Sequence, residues 1–112
     1  MYNIKFKKQL FEILDLISGI EENLQGLGFE DFKNDRKVKI FVVQRFESIF
    51  SIINNISESD LFLLPDINWE LFKDMERKLF ENPYGIDDET VWKAAKYDLR
   101  KLQKILSDAV HN

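Results

Sequence analysis

Cysteine is absent from the 112 residues, which excludes disulfide bonds, thiolate catalysis and cysteine-ligated zinc. Histidine is nearly absent as well, because the single one, His111, is the penultimate residue. Residues beside a chain terminus commonly fray, so we expect no histidine general base, no catalytic triad and no histidine metal site inside the fold. The sequence therefore predicts neither a metal nor another cofactor.

Glycine and proline are scarce, with four and two residues, and this scarcity argues against a turn-rich all-β fold. The net charge of −4 carries no overall signature of nucleic-acid binding, so any contact with RNA requires a local basic patch. No continuous apolar segment resembles a signal peptide or a membrane-spanning helix. We therefore expect a cytoplasmic protein that makes no contact with a membrane.

Apolar residues recur at the three- and four-residue spacing of a helix with one buried face in four long segments. These segments run from about Ile4 to Leu24, Asp35 to Ile56, Trp69 to Glu81 and Asp87 to Asp108. Either Asp87 or Asp88 is a suitable N-cap for the last of them, as Asp35 is for the second. We predict an all-α fold, a small antiparallel four-helix bundle that forms a single domain over residues 1–112.

The sequence also predicts how two of the connections fold and which helix requires cover from a partner. Residues 29–35 are expected to form a short helical turn, and the apolar run 61–64, just before Pro65, is expected to pack onto the bundle. The second helix is apolar on more than one face, so it needs cover on more than one side. A second copy of the chain is a plausible source of that cover, and we therefore expect a homodimer.

Several fragments of the sequence occur in the order typical of one family. They are Glu47 in the second helix, Leu64-Pro65-Asp66-Ile67-Asn68-Trp69, Met75, Tyr84-Gly85-Ile86-Asp87, Val91-Trp92 and Asp98-Leu99. In these features the chain resembles the HepT-like branch of the HEPN superfamily over nearly its whole length. That resemblance implies a helical homodimer and, in many members, a toxin paired with a minimal nucleotidyltransferase antitoxin.

The resemblance also implies a reaction and its residues. Active members cleave RNA without a metal, and their signature is Arg, four residues, His, one residue and Tyr. The Arg and His meet in a cleft between two protomers, and the partner can adenylylate the Tyr. Aligned on residues 84–87, the Arg, His and Tyr positions fall on Glu76, Glu81 and Pro83. A shift of one residue brings in Arg77, but no histidine lies nearby in the sequence.

Replacing both active groups by carboxylates reverses the charge of the expected site. Metal-free RNA cleavage needs proton transfer and stabilisation of a negatively charged transition state, and Glu76 with Glu81 would repel the phosphodiester. We predict a catalytically degenerate protein that dimerises and binds a nucleotidyltransferase, so we do not favour an enzyme. Two alternatives stay open: an active ribonuclease with a non-standard site such as Arg77 with Glu81, and a helical scaffold. The two glutamates are also simple candidates for solvated surface charges.

Other residues are candidates for contacts rather than for chemistry. Lys93, Lys96, Arg100 and Lys104 fall within an arc of about 80° on an ideal helix. This basic stripe is suited to RNA phosphates or an acidic partner, although a solvated face balanced by Glu89 explains it equally simply. The two tryptophans, at positions 69 and 92, are expected in the core rather than on a base-stacking surface.

Four residues are candidates for the dimer interface or its cleft. They are Glu47, Phe50, Tyr84 and Asp87. Phe50 stands where the resemblance implies glycine, which allows close helix approach. Its ring either fills space vacated by smaller neighbours or alters the dimer interface. Tyr84 lies beside the position at which the resemblance implies modification by adenylate.

Overall fold

The structure is a computed structural model that describes residues 3–83 and 85–111, and Tyr84 lies outside the described residues. All regular elements in those ranges are helical. They are α1 (Ile4–Leu24), α2 (Phe29–Asn34), α3 (Arg36–Asn54), α4 (Glu58–Leu61), α5 (Trp69–Phe80), α6 (Asp88–Lys93), a π-helical turn (Ala94–Asp98) and α7 (Leu99–His111). The predicted all-α fold is confirmed, and each of the four long segments is helical.

Side-chain caps fix where the helices begin. Asp35 accepts a hydrogen bond from the Val38 amide at 3.1 Å, and Asp87 accepts one from the Thr90 amide at 2.9 Å. Each cap satisfies one of the backbone donors that the first turn of a helix leaves without an intrahelical acceptor. The predicted starts of the second and fourth segments are therefore confirmed. The ends differ slightly, because α3 stops at Asn54 rather than near Ile56.

One apolar cluster lies at the centre of the bundle. Helix α1 packs along α3 and α7, and its side of the core contains Phe6, Leu10, Ile13 and Ile17, all fully buried. No polar or charged residue of ranges 3–83 and 85–111 is buried. The bundle is thus held together by hydrophobic burial, and its polar contacts lie at the surface.

Three apolar positions are more exposed than the spacing predicts. In the run 61–64, Leu64 is buried while Phe62 is 81% and Leu63 42% exposed, so the expectation that the whole run packs down is wrong. Leu61 and Leu64 lie three residues apart and take the inner side, which leaves the two residues between them outside. Leu71 is 59% exposed, because the buried stripe of α5 follows Phe72 instead.

The last helix is interrupted, which its spacing did not predict. A π-helical turn separates α6 from α7, and both Ala94 and Ala95 are buried in it. The small side chains let this wider turn lie against α1. Within the described part of the chain, no helix combines the length and the apolar character needed to cross a membrane.

Candidate functional site

A polar cleft opens between α3 and α5. It has a volume of about 490 Å³ and is lined by Glu47, Ser51, Asn54, Asn55, Glu76 and Phe80. The first four residues come from α3 and its end, and the last two come from one side of α5. The cleft therefore contains two carboxylates and no cationic side chain among its lining residues.

Glu76 is tied to the opposite wall of this cleft. The Asn54 side-chain amide donates to both carboxylate oxygens of Glu76, at 3.1 and 3.2 Å. These contacts link α3 to α5 and hold the carboxylate at a defined place. Since Asn54 is exposed, the link contributes modestly to stability, but it orients the charge that dominates this wall.

Glu81 lies at the end of α5, outside the residues that line the cleft. It is the C-cap residue and exposed, and its backbone amide donates to the Arg77 carbonyl oxygen at 2.8 Å. Five residues of ideal helix separate side chains by about 140°, which accounts for the different directions of Glu76 and Glu81. Pro83 is exposed in the turn that follows.

Arg77 lies on another side of α5 from Glu76. It forms an ion pair with Asp74 and lines a groove of about 720 Å³ between α5 and α7. The hydrogen bond that Arg77 donates to Asp74 is the main cause that raises the pKa of Arg77, and the more distant Glu81 contributes least. The guanidinium is thus directed away from the α3–α5 cleft and already has an anionic partner.

Phe50 is buried within the protomer, with 2% of its surface exposed. Its ring stacks on Phe46 at a centroid distance of 5.9 Å and meets the edge of Phe80 at 6.0 Å. The ring fills the space between α3 and α5. This placement favours a ring that fills space left by smaller neighbours inside the protomer over the alternative that Phe50 alters the dimer interface.

Asp87 serves as the N-cap of α6 rather than as a lining residue of the cleft. Its carboxylate accepts from the Thr90 hydroxyl at 2.7 Å and from the Thr90 amide at 2.9 Å. The hydroxyl contact, followed by the amide contact, lowers the pKa of Asp87. A capping role explains this residue without any reference to a cleft.

The basic stripe is wider than an ideal helix predicts. Lys93 lines the α5–α7 groove, whereas Lys96 and Arg100 line a small depression beside the end of α1. The π-helical turn is the physical reason, because its extra residue rotates the side chains that follow it. Lys104 is exposed on α7.

Two features of the site were not predicted from the sequence. Asn54 carries no pattern that singles it out, and only its distance to Glu76 reveals its role. Glu12 and Asp15 on α1 line a second open surface with Glu47 and Arg45, so three carboxylates and one guanidinium lie beside the cleft on the side of α1. No three His, Cys, Asp or Glu side chains of the described residues converge as a metal site would require.

Comparison with known proteins identifies the family. A profile described as ribonuclease HepT-like matches residues 13–109, which is most of the chain. The chain belongs to the HepT-like ribonuclease family. Among its relatives, "Probable ribonuclease HepT" of Thermococcus cleftensis is 33% identical over 97 residues, covering 87% of this chain and 88% of that protein. A protein of Methanocaldococcus jannaschii named "putative RNase" is 29% identical over 98 residues, covering 88% of this chain and 81% of its own length. No solved structure matches.

HepT-like membership connects the cleft to the expected motif. The position at which the resemblance implies arginine is Glu76, which lines the α3–α5 cleft beside Glu47. The position at which it implies histidine is Glu81, at the end of the same helix. Glu76 therefore lies within α5 and Glu81 at its C-cap, and only Glu76 faces the cleft.

The Asp87 cap predicts a change in acid stability. The pKa of Asp87 is lowered on folding, so its contribution to stability is present above its ordinary pKa and is lost as the pH falls through the folded value. Asp87→Asn keeps a capping side chain but removes this titration. We expect the melting temperature of the variant to fall less than that of the wild type below about pH 4. Thermal melts followed by circular dichroism at a series of pH values test this. Melting temperatures that fall equally in the wild type and the variant below about pH 4 would contradict it.

Proposed function

We propose that this HepT-like chain does not cleave RNA and acts by binding, first to a second copy of itself and then to a protein partner. The observation that carries the proposal is the carboxylate of Glu76, held in the α3–α5 cleft by Asn54 at the position where the resemblance implies arginine. A minimal nucleotidyltransferase antitoxin is the partner that the resemblance implies.

The chemistry of the cleft supports a non-cleaving protein. Arginine stabilises a phosphorane through its forked cation, whereas a carboxylate at the same place repels both phosphate and transition state. Glutamate at position 81 also replaces the group that would transfer protons near neutral pH. None of the described residues provides a buried acid or base as a substitute, because the buried residues are all apolar.

The surface of α1 and α3 supports self-association. Phe11 on α1 is 45% exposed and Ile40 on α3 is 47% exposed, with half-buried Val43 and Ile52 on the same helix. Apolar surface of this kind is stabilised by contact with a partner chain. We propose that α3 contributes to a twofold-symmetric dimer in which the two acidic clefts lie near each other.

The test of the proposal is a cleavage assay with matched controls. We expect the purified chain to release no more fragments from labelled RNA than a blank without protein. The T. cleftensis relative, named a probable ribonuclease, is assayed beside it as the positive control. The alternative, an active site of Arg77 with Glu81, gains from the ribonuclease names of the relatives. Cleavage by the wild type that disappears in Glu81→Ala would establish that alternative and refute ours.

Binding needs a separate experiment. Light scattering at micromolar concentration should give twice the mass of one chain. Co-expression with a minimal nucleotidyltransferase, taken from an adjacent gene if the genome has one there, should yield a complex. A monomer would remove the dimer from the proposal. A dimer that does not bind the nucleotidyltransferase would favour the helical scaffold instead.

A further inference from the structure

The α7 ridge is defined by Lys96, Tyr97, Arg100, Lys101 and Lys104, on the π-helical turn and the first two turns of α7. Residues 93–104 contain five basic side chains and one acidic side chain, Asp98. The whole chain has a net charge of −4, so this segment opposes the sign of the rest of the molecule. A concentration of positive charge on an otherwise acidic protein attracts a polyanion locally.

Most charges of the ridge are not neutralised within the protomer. Arg100, Lys101 and Lys104 are exposed and form no ion pair with another described residue. By contrast, Lys93 at the edge of the ridge is paired with Glu89 at 2.9 Å. These three cations of α7 therefore face solvent without a direct ion-pair partner among the described residues, where they are available to phosphates.

Tyr97 is the feature that separates this ridge from an ordinary solvated helix face. Its side chain is 64% exposed, although large aromatic side chains usually bury their rings. It lies in the π-helical turn, one turn before Arg100 and Lys101. Such turns are rare and are frequent at functional sites. An exposed ring followed by cations at helical spacing supplies a stacking surface next to phosphate contacts.

The depression beside the ridge continues the same surface. Lys96 and Arg100 line it together with residues at the end of α1 that include the carboxylate Glu21, and the Lys96 ammonium lies 4.8 Å from the centre of the Trp92 ring. Lys96 is therefore held in place by its contact with an aromatic face. This arrangement gives one flank of the ridge a cation of fixed position, while Lys101 lines the α5–α7 groove on the other flank.

We propose that the α7 ridge binds single-stranded nucleic acid, with Tyr97 stacking on a base and Arg100, Lys101 and Lys104 contacting phosphates. An acidic protein is the competing occupant, and the pairing of an exposed ring with cations at helical spacing is the pattern by which proteins bind single strands. The proposed contacts are to base faces and phosphates and not to the sugar, so we expect RNA and DNA strands to bind with similar affinity. This function goes beyond the partner binding proposed above and does not depend on cleavage.

The experiment measures fluorescence anisotropy of a labelled single strand of about 12 nucleotides, as RNA and as DNA, with the full chain. We expect both strands to bind and Tyr97→Ala to weaken binding about fivefold or more. Tyr97→Phe, which keeps the ring, should bind as the wild type does. The exposed position of Tyr97 lets the fold survive the substitution, and circular dichroism checks it.

A salt series tests the charged part of the ridge. Removing one cation that touches a phosphate should reduce the slope of log affinity against log salt by about 0.7, so Lys104→Ala should show this reduction. Lys8→Ala, on the exposed surface of α1, is the matched control and should leave the slope unchanged. Unchanged slopes in both variants would overturn the phosphate contacts.

Polyglutamate provides the comparison with an acidic protein. We expect it to compete weakly and without dependence on Tyr97. Equal binding of polyglutamate and RNA, or no effect of Tyr97→Ala on the RNA, would overturn the proposal and favour an acidic protein partner. The RNA recovered after each titration is checked on a gel. Cut RNA would refute the non-cleaving function, whereas intact but unbound RNA would refute only the ridge.

Discussion

Replacement of Phe50 by alanine is expected to lower the free energy of unfolding by about 3–5 kcal/mol. The ring is 2% exposed and contacts Phe46 and Phe80, so its removal leaves a cavity between α3 and α5 and breaks two aromatic contacts. Domains of this size are stable by only about 5–15 kcal/mol, so the loss takes a large share of the total. Urea unfolding followed by circular dichroism measures it.

The same substitution at an exposed phenylalanine shows whether the loss of stability comes from burial of the ring or from the change of residue type. Phe62 is 81% exposed, and its replacement is expected to change the unfolding free energy by less than about 0.5 kcal/mol. The oligomeric mass should stay the same in Phe50→Ala, because the ring lies inside one protomer. A stable Phe50→Ala chain with an altered mass would instead place Phe50 at a subunit interface.

The helices could be predicted from the sequence because their signals are local. Asp35 and Asp87 cap α3 and α6 as their residue type and position indicate, and the start of α1 at Ile4 follows from the apolar spacing. The far ends are harder to place from sequence, since α3 ends at Asn54 although its apolar stripe continues to the buried Ile56. The bundle itself follows from the count and length of the segments.

The features that the sequence did not predict depend on contacts between distant residues. Asn54 and Glu76 are separated by many residues, and neither has a spacing pattern that predicts their hydrogen bond. No sequence pattern predicts the π-helical turn either, because Ala94 and Ala95 suit an α-helix as well as the wider turn. That turn nevertheless decides that Lys96 and Arg100 lie on a different flank from Lys93. The composition of the site was thus predictable, whereas its geometry required the packed bundle.

The glutamates at positions 76 and 81, where the resemblance implies arginine and histidine, make the motif testable by restoration. The double variant Glu76→Arg with Glu81→His supplies the cation and the proton-transfer group that the HepT-like resemblance implies. The introduced guanidinium would face Glu47 across the cleft, and this carboxylate provides a partner that orients it. A positioned proton-transfer group typically accelerates a reaction by about 10²–10⁴-fold, so we expect measurable RNA cleavage where the wild type shows none.

The control for restoration keeps the charge pattern and removes only the proton transfer. Glu76→Arg with Glu81→Gln carries the same arginine and a neutral side chain of similar length, and we expect it to stay close to the wild type. The restored activity should also fall at acidic pH, because histidine must be neutral to accept a proton and its ordinary pKa is about 6.5. A folded and dimeric Arg/His variant that cleaves no faster than the Arg/Gln control would contradict the assignment of positions 76 and 81. Both variants equally lack the hydrogen bonds from Asn54 to Glu76, so these bonds cannot account for a difference between them.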